Sequence, residues 1–468
     1  MKMKSASLKK YCWVLLLLLL TVPAWADRNP LLDTTNGAKY TYEGVAADLD
    51  TLPGAPKLPY STSILGKALF NMLSYDHNVI SVSYSGNDTN RIPNFVFGGI
   101  SNDKTADATH NTITLTGGIV DRLFIGGFAY PDSAGSVSSN CVTVKGGRVG
   151  IVPATGDDAG YVIGGMSRGA GAADGNTVTV TAGTIGRWVN GGLSTTGRSN
   201  YNDVTVSGNV QIGTGTGSQG VEGGIRAQAD NPPTGNHVII GAGAVIGSRD
   251  VADTTTDAGW WQWSKVIGGY GSASGAVDNT VEIKGGTINV RVLGGEGDGA
   301  GDVTGNRVTV TGGTTIKAAA IASADTYAGI AGGSAVNGNA SDNVVDIQVA
   351  ATEITTNKIY GGEAKAASKI ASGNRVTLWG KENKPIKIKP VPAAESSLDI
   401  AGGVAATGGT AQNNTVGIYG AVEFEGEVNL YGGKVGNNGS PDGNRLVLAL
   451  NDKSLLPLKV NTLAGFAS

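Results

Sequence analysis

The sequence is poor in the residues that most often do chemistry. Of 468 residues, two are cysteine and three are histidine, 6% are aromatic, and only 16% are charged. Cys12 precedes an N-terminal apolar run and would be lost with it, so Cys141 stands alone and no intramolecular disulfide can form. His77, His110 and His237 lie far apart, with neither an i, i+4 pair nor an HExxH motif, and this spacing implies no metal site. Asp157-Asp158 is an adjacent acidic pair, but it sits between Gly156 and Ala159 and reads as a solvated loop rather than a pair of catalytic carboxylates. The motif Gly294–Asp298 (GGEGD) is similar to a calcium-binding repeat. It occurs once, its Asp is one place early, and it has no tandem nine-residue copies. These shortages exclude the common catalytic constellations and point to no cofactor and no metal.

What is abundant is glycine, 74 residues, with no G-X-Y period that would signal collagen. Strand-like apolar triplets recur throughout, which disorder does not explain. The start of the chain reads as an export signal. Lys2, Lys4, Lys9 and Lys10 form a basic segment, Val14–Leu20 is apolar, and Ala24-Trp25-Ala26 is a small-residue cleavage site with the cut after Ala26. That apolar stretch is too short to span a bilayer as a stable helix. Removing residues 1–26 takes four lysines and no acid, leaving a mildly acidic protein with no electrostatic case for a nucleic-acid partner.

Residues 27–77 read as a leader and N-terminal cap. Pro30, Pro53, Pro56 and Pro59 break regular structure, while Leu65, Ala68, Leu69, Met72 and Leu73 fall at the spacing of a short amphipathic helix. From residue 78 a repeat takes over. An Asn followed by alternating aliphatic residues begins at Asn78, Asn111, Asn140, Asn176, Asn202, Asn236, Asn279, Asn306, Asn343, Asn374, Asn414 and Asn444. Between each two lies an apolar residue two places before Gly-Gly, from Val96–Gly99 to Leu430–Gly433. The alternation is the mark of a strand with one buried face. The paired glycines suggest corners at positive φ, the Asn a tolerance of left-handed backbone, and stacked Asn copies a ladder.

A unit of about three short strands cannot bury a core alone, so units must stack. The expected fold is all-β, a right-handed parallel β-helix of about twelve coils over residues 78–450, with variable loops on one side. Length variation should fall mainly between a unit's second Gly-Gly and the next Asn. Most units are too short for propeller blades. Residues 451–468 read as a truncated end, with LVLAL (Leu446–Leu450) leaving a strand edge uncovered.

Units such as Asn279–Gly313 resemble the glycine-rich repeats of bacterial autotransporter passengers. Ile359–Gly362 (IYGG) and Ser372–Leu378 (SGNRVTL) are similar to the two halves of that repeat. The resemblance spans roughly Asn78–Leu450. It implies export across the inner membrane and display on the Gram-negative surface through a C-terminal β-barrel, which this chain does not carry after Ser468. Without a barrel supplied elsewhere, the periplasm is the implied location. Expected partners are export machinery and a host-surface glycan or protein. The expected function is a non-catalytic adhesin or stalk, and the alternative is a carbohydrate-active β-helix enzyme. Trp260, Trp261 and Trp263, in the longest loop, are the one candidate ligand-binding cluster, because exposed indoles stack on sugars or anchor interfaces. Their plainer role is folding back over the solenoid wall.

Overall fold

The computed structural model describes residues 39–43, 64–65, 76–83, 95–101, 105–150, 160–214, 218–228, 231–247, 264–318, 329–348, 353–390, 397–450 and 460–467. Among these residues every regular element is a strand, and the strands stack in parallel as a β-helix. The strands that follow each Asn form one long sheet. The Gly-Gly strands form a second, of thirteen strands, and short segments from Ala276–Val277 to Ser440–Asp442 form a third of six. Thirteen strands at the usual inter-strand spacing make a rod of roughly 58 Å.

The register is strict. Val178 faces Val204, Val281 faces Val308, and Val266 faces Val292 in the coils that adjoin them. Each of these valines is buried in one continuous aliphatic column that runs from Ile80 to Leu430. Alternation produces the column directly: in Thr280–Ile283, Val281 and Ile283 turn inward while Thr280 and Glu282 face the solvent side. A second, slimmer column of small residues, among them Ala276, Ala335, Ala364 and Ala405, fills a minor lobe beside it.

The Asn residues form an unbroken ladder between the two lobes. At every step from Asn78 to Asn444 the backbone N–H and the side-chain Nδ2 of one Asn donate to Oδ1 of the Asn in the next coil, at 2.8–3.1 Å. From Asn236 onward the second Nδ2 proton reaches a backbone carbonyl of the preceding coil, as from Asn306 to Ala276 O and from Asn374 to Ala340 O. The amides from Asn111 to Asn414 are buried, and each Oδ1 among them accepts two hydrogen bonds from the coil before.

Several expectations need correction. The left-handed residue is not the Asn but the one before it: His77, His110, Ser139, Gly175, Tyr201, Gly235, Asp278, Gly305, Asp342, Gly373, Asn413 and Gly443 all have φ between 52° and 70°. The Gly-Gly pairs of the second sheet are not positive-φ corners either. Gly268 and Gly269 lie inside the strand Lys265–Gly271, and neither is left-handed. They are glycine for want of room. A Cβ on Gly269 would sit 2.5 Å from Asn279 Cγ, and one on Gly268 would sit 2.5 Å from the carbonyl oxygen of Gly294 in the next coil. Only the pair after the Asn strand behaves as a corner, as at Gly286 with φ 97°.

The sheets also extend past 78–450. Lys39–Glu43 pairs with Val79–Ser83, and Ile64–Leu65 pairs with Val96–Phe97 where the spacing suggested a helix. The rest of that helical pattern lies outside the described residues. Val460–Ala467, within the segment read as a truncated end, adds a thirteenth strand to the second sheet. The connection from Gly-Gly to the next Asn varies little, running from Gly192 to Asn202 in one coil and from Gly127 to Asn140 in another. Within the stretch from a unit's second Gly-Gly to the next Asn, length variation therefore falls ahead of the following Gly-Gly strand, where undescribed segments such as 84–94, 248–263 and 319–328 lie.

Candidate functional site

The Gly-Gly strand is bent, and the bend builds the candidate site. Residues five apart on a straight strand are about 16 Å apart and on opposite faces. Here Lys265 Nζ lies 3.7 Å from the ring centre of Tyr270 on the same strand, and Arg291 Nη1 lies 3.5 Å from Glu296 Oε1 on the next. The strand folds outward around its glycines, which the Asn ladder supports from inside. Side chains on either side of the pair meet across a trough that follows the helix axis.

The lining changes along the trough. The N-terminal coils supply an aromatic and aliphatic stretch in which Phe95, Phe97, Phe128 and Tyr130 follow one another at ring-centre distances of 5.6, 5.3 and 5.1 Å. Burial pushes the Tyr130 hydroxyl up to about 12, against the opposing pull of Arg168. The central coils are ionic. Lys265, Arg291, Glu296 and Glu222 are all 5% exposed or less. Lys265 Nζ donates to Glu296 Oε2 at 2.5 Å, and Asn190 Nδ2 donates to Glu222 Oε2 at 2.8 Å. Tyr270 Oη donates to Asp298 Oδ2 at 2.7 Å, and Lys365 Nζ lies 3.5 Å from Glu363 Oε2. Farther along, Lys434 and Asn429 both donate to Asp399.

The two central carboxylates are driven in opposite directions. Burial pushes Glu222 up to about 7, and the lowering effects of Lys265 and Asn190 do not compensate. Burial also opposes ionisation of Glu296, but the charges of Lys265, Arg291 and Lys365 outweigh it and hold this carboxyl well below its usual range. Burial, followed by the Glu296 charge, raises Asp298. One carboxyl protonated near neutrality beside another kept ionised is the electrostatic arrangement of an acid and its counter-charge. It is also what a closed ionic network looks like: each buried ion costs several kcal/mol to desolvate unless it is paired, and these are paired.

The residues singled out from the sequence are spread differently. Trp260, Trp261, Trp263, Asp157, Asp158 and Ala26 lie outside the described residues. Asn111, Asn176, Asn202, Asn236, Asn279, Asn306, Asn374, Asn414 and Asn444 come together as the ladder. His77 and His110 stack at 4.8 Å on adjacent corners, while His237 lies 3.6 Å from Asp203 and 3.7 Å from Glu282 on the solvent side of the first sheet. Glu296 and Asp298 of the GGEGD motif belong to the ionic network. Among the described residues, no group of three or more His, Cys, Asp or Glu is placed to hold a metal. The network was missed, although a signal existed: Lys265 and Arg291 occupy the same place two residues before an aliphatic-Gly-Gly, and Glu296 and Glu363 both directly follow the glycines.

No protein-family model matches this chain, and neither does any curated protein or any solved structure.

Proposed function

We propose that this chain is an exported, autotransporter-passenger-like rod that works without catalysis at the Gram-negative cell surface, as an adhesin or stalk. The observation that carries the reading is the uninterrupted ladder. Almost the whole described chain serves one extended scaffold, and its most concentrated set of ionisable groups is buried and internally paired. A stiff rod holds what it carries away from the membrane. Variable segments inserted at one recurrent place, ahead of the Gly-Gly strand, can present different contacts without disturbing the stack. The implied partners are host or neighbouring-cell glycans or proteins.

The test is to express the full chain fused to an outer-membrane barrel in a Gram-negative host. The reading expects an N-terminus beginning at Asp27, protease-accessible chain on intact cells, and increased attachment to host cells or to sister cells. Retention of the signal, or surface display with no gain in attachment of either kind, overturns it.

A second reading, a carbohydrate-active enzyme, is favoured by the opposed carboxyls Glu222 and Glu296 in one trough. It requires depolymerisation of a polysaccharide such as pectin or chitin, with activity abolished in Glu296→Gln and a pH profile shifted in Glu222→Gln.

A further inference from the structure

The outward face of the first sheet carries an aromatic pair that the scaffold does not need. Trp379, on the strand Arg375–Gly380, is directly paired in register with Tyr419 of the next coil. Their ring centres are 6.4 Å apart and their planes inclined by 53°. Trp379 is 57% exposed, in a fold whose other described large apolar side chains are mostly buried. The equivalent outward position in earlier coils is held by polar or small residues: Lys145, Thr181, Ser207, Gly241, Lys284 and Thr311.

The surroundings prepare these rings for contact. Gly417 lies beneath Tyr419, and a Cβ there would sit 2.6 Å from Tyr419 Cε2, so glycine is what lets the phenol ring lie down on the sheet. In the coil before Trp379, the in-register residue is Gln348, whose Nε2 donates to Asp346 Oδ2 at 2.8 Å. Next in sequence after Gly380 is an exposed turn, Lys381 to Lys384, closed by Lys384 N–H donating to the Lys381 carbonyl. Stacking faces on two successive coils, a carboxylate–amide pair on the coil before them and ammonium groups at the edge make up a narrow strip about three coils long.

We propose that this strip, centred on Trp379 and Tyr419, binds a saccharide chain lying along the helix axis. A pyranose ring offers what the strip lacks: an apolar C–H face for the aromatic rings and, around its rim, hydroxyls for Asp346 and Gln348. Successive coils repeat every ~4.8 Å, which lets neighbouring sugar units meet successive rings. A protein partner would call for a larger continuous apolar patch, whereas here two rings are bordered by polar and charged groups. The inference does not require surface display, since it concerns the purified chain. It can fail while the surface reading stands, and the reverse.

The experiment measures binding of the purified full chain to cellohexaose, chitohexaose and polygalacturonate by calorimetry and tryptophan fluorescence. The wild type is expected to bind at least one of the three. Trp379→Ala and Tyr419→Ala should weaken that binding roughly tenfold or more, with the far-ultraviolet circular dichroism spectrum unchanged, while Trp379→Phe retains most of it. Stronger binding to polygalacturonate than to the neutral oligomers, lost in Lys381→Ala/Lys384→Ala, would assign the ammonium groups to the site. Binding to none of the three probes, or binding that both alanine variants leave unchanged, overturns the proposal.

Discussion

Asn279 shows how much one residue carries in this fold. Its Oδ1 accepts from the backbone N–H and Nδ2 of Asn236, and its Nδ2 donates to Asn306 Oδ1 and to the Pro233 carbonyl. Asn279→Ala removes these bonds, strands two buried donors on Asn236 and takes a donor from Asn306 Oδ1 and from the Pro233 carbonyl. It should cost about 3 kcal/mol in chemical denaturation. Glu222 predicts a pH dependence of definite sign. Its folded pKa, about 7, lies above the ordinary 4.5, so the native state holds an extra proton between those values. Stability should therefore fall as pH rises through that window, by at most about 3 kcal/mol. Glu222→Gln should flatten this slope. Glu296 works in the opposite sense: its depressed pKa adds stability at neutral pH that is lost as pH falls through the folded value. Glu296→Gln should cost about 3–5 kcal/mol at pH 7, because Lys265 and Arg291 are left buried without their counter-charge. Urea midpoints for the wild type and both variants between pH 2 and 8 check all three statements.

At the scale of the element, the Gly-Gly strand is where sequence and structure part company. Alternation alone identifies the Asn strands and their inward rows, because Val281 and Ile283 need only a period of two to be assigned to the core. Glycine has two uses, however, and a sequence does not distinguish them. Gly286 is left-handed, whereas Gly269 leaves space for Asn279. The trough depends on that second use, since the outward bend brings Lys265 to Tyr270 and Arg291 to Glu296 across five residues of chain. For the same reason Ile64–Leu65 reads as helical in isolation and is a strand in context: pairing with Val96–Phe97 overrides a local pattern. Gly269→Ala isolates this role. Its methyl must displace the Asn279 amide, so the variant should lose about 2–3 kcal/mol, and hydrogen exchange should rise at the neighbouring ladder amides.

At the scale of the molecule, the fold is a sum of near-equivalent coils, and coils should be removable. Deleting residues 112–140 joins Asn111 to Cys141, which occupies the register of Thr112. The shortened chain should fold with an unchanged spectrum per residue and scatter X-rays as a rod shorter by ~5 Å. Deleting residues 112–139 instead leaves one residue too many, shifts the alternation, and should yield an unfolded or aggregated product.

The ladder also gives the rod a sense of direction. From Asn78 to Asn414 the backbone N–H and one Nδ2 proton of each Asn point toward the C-terminal side, so these two protons wait for the oxygen of the coil that follows. A polypeptide threading out of a pore N-terminus first would carry a single incomplete rung at its growing tip, however many coils already stood behind it. Assembly by such a one-way zipper meets the same small penalty at each step, and each new rung closes the door behind the last.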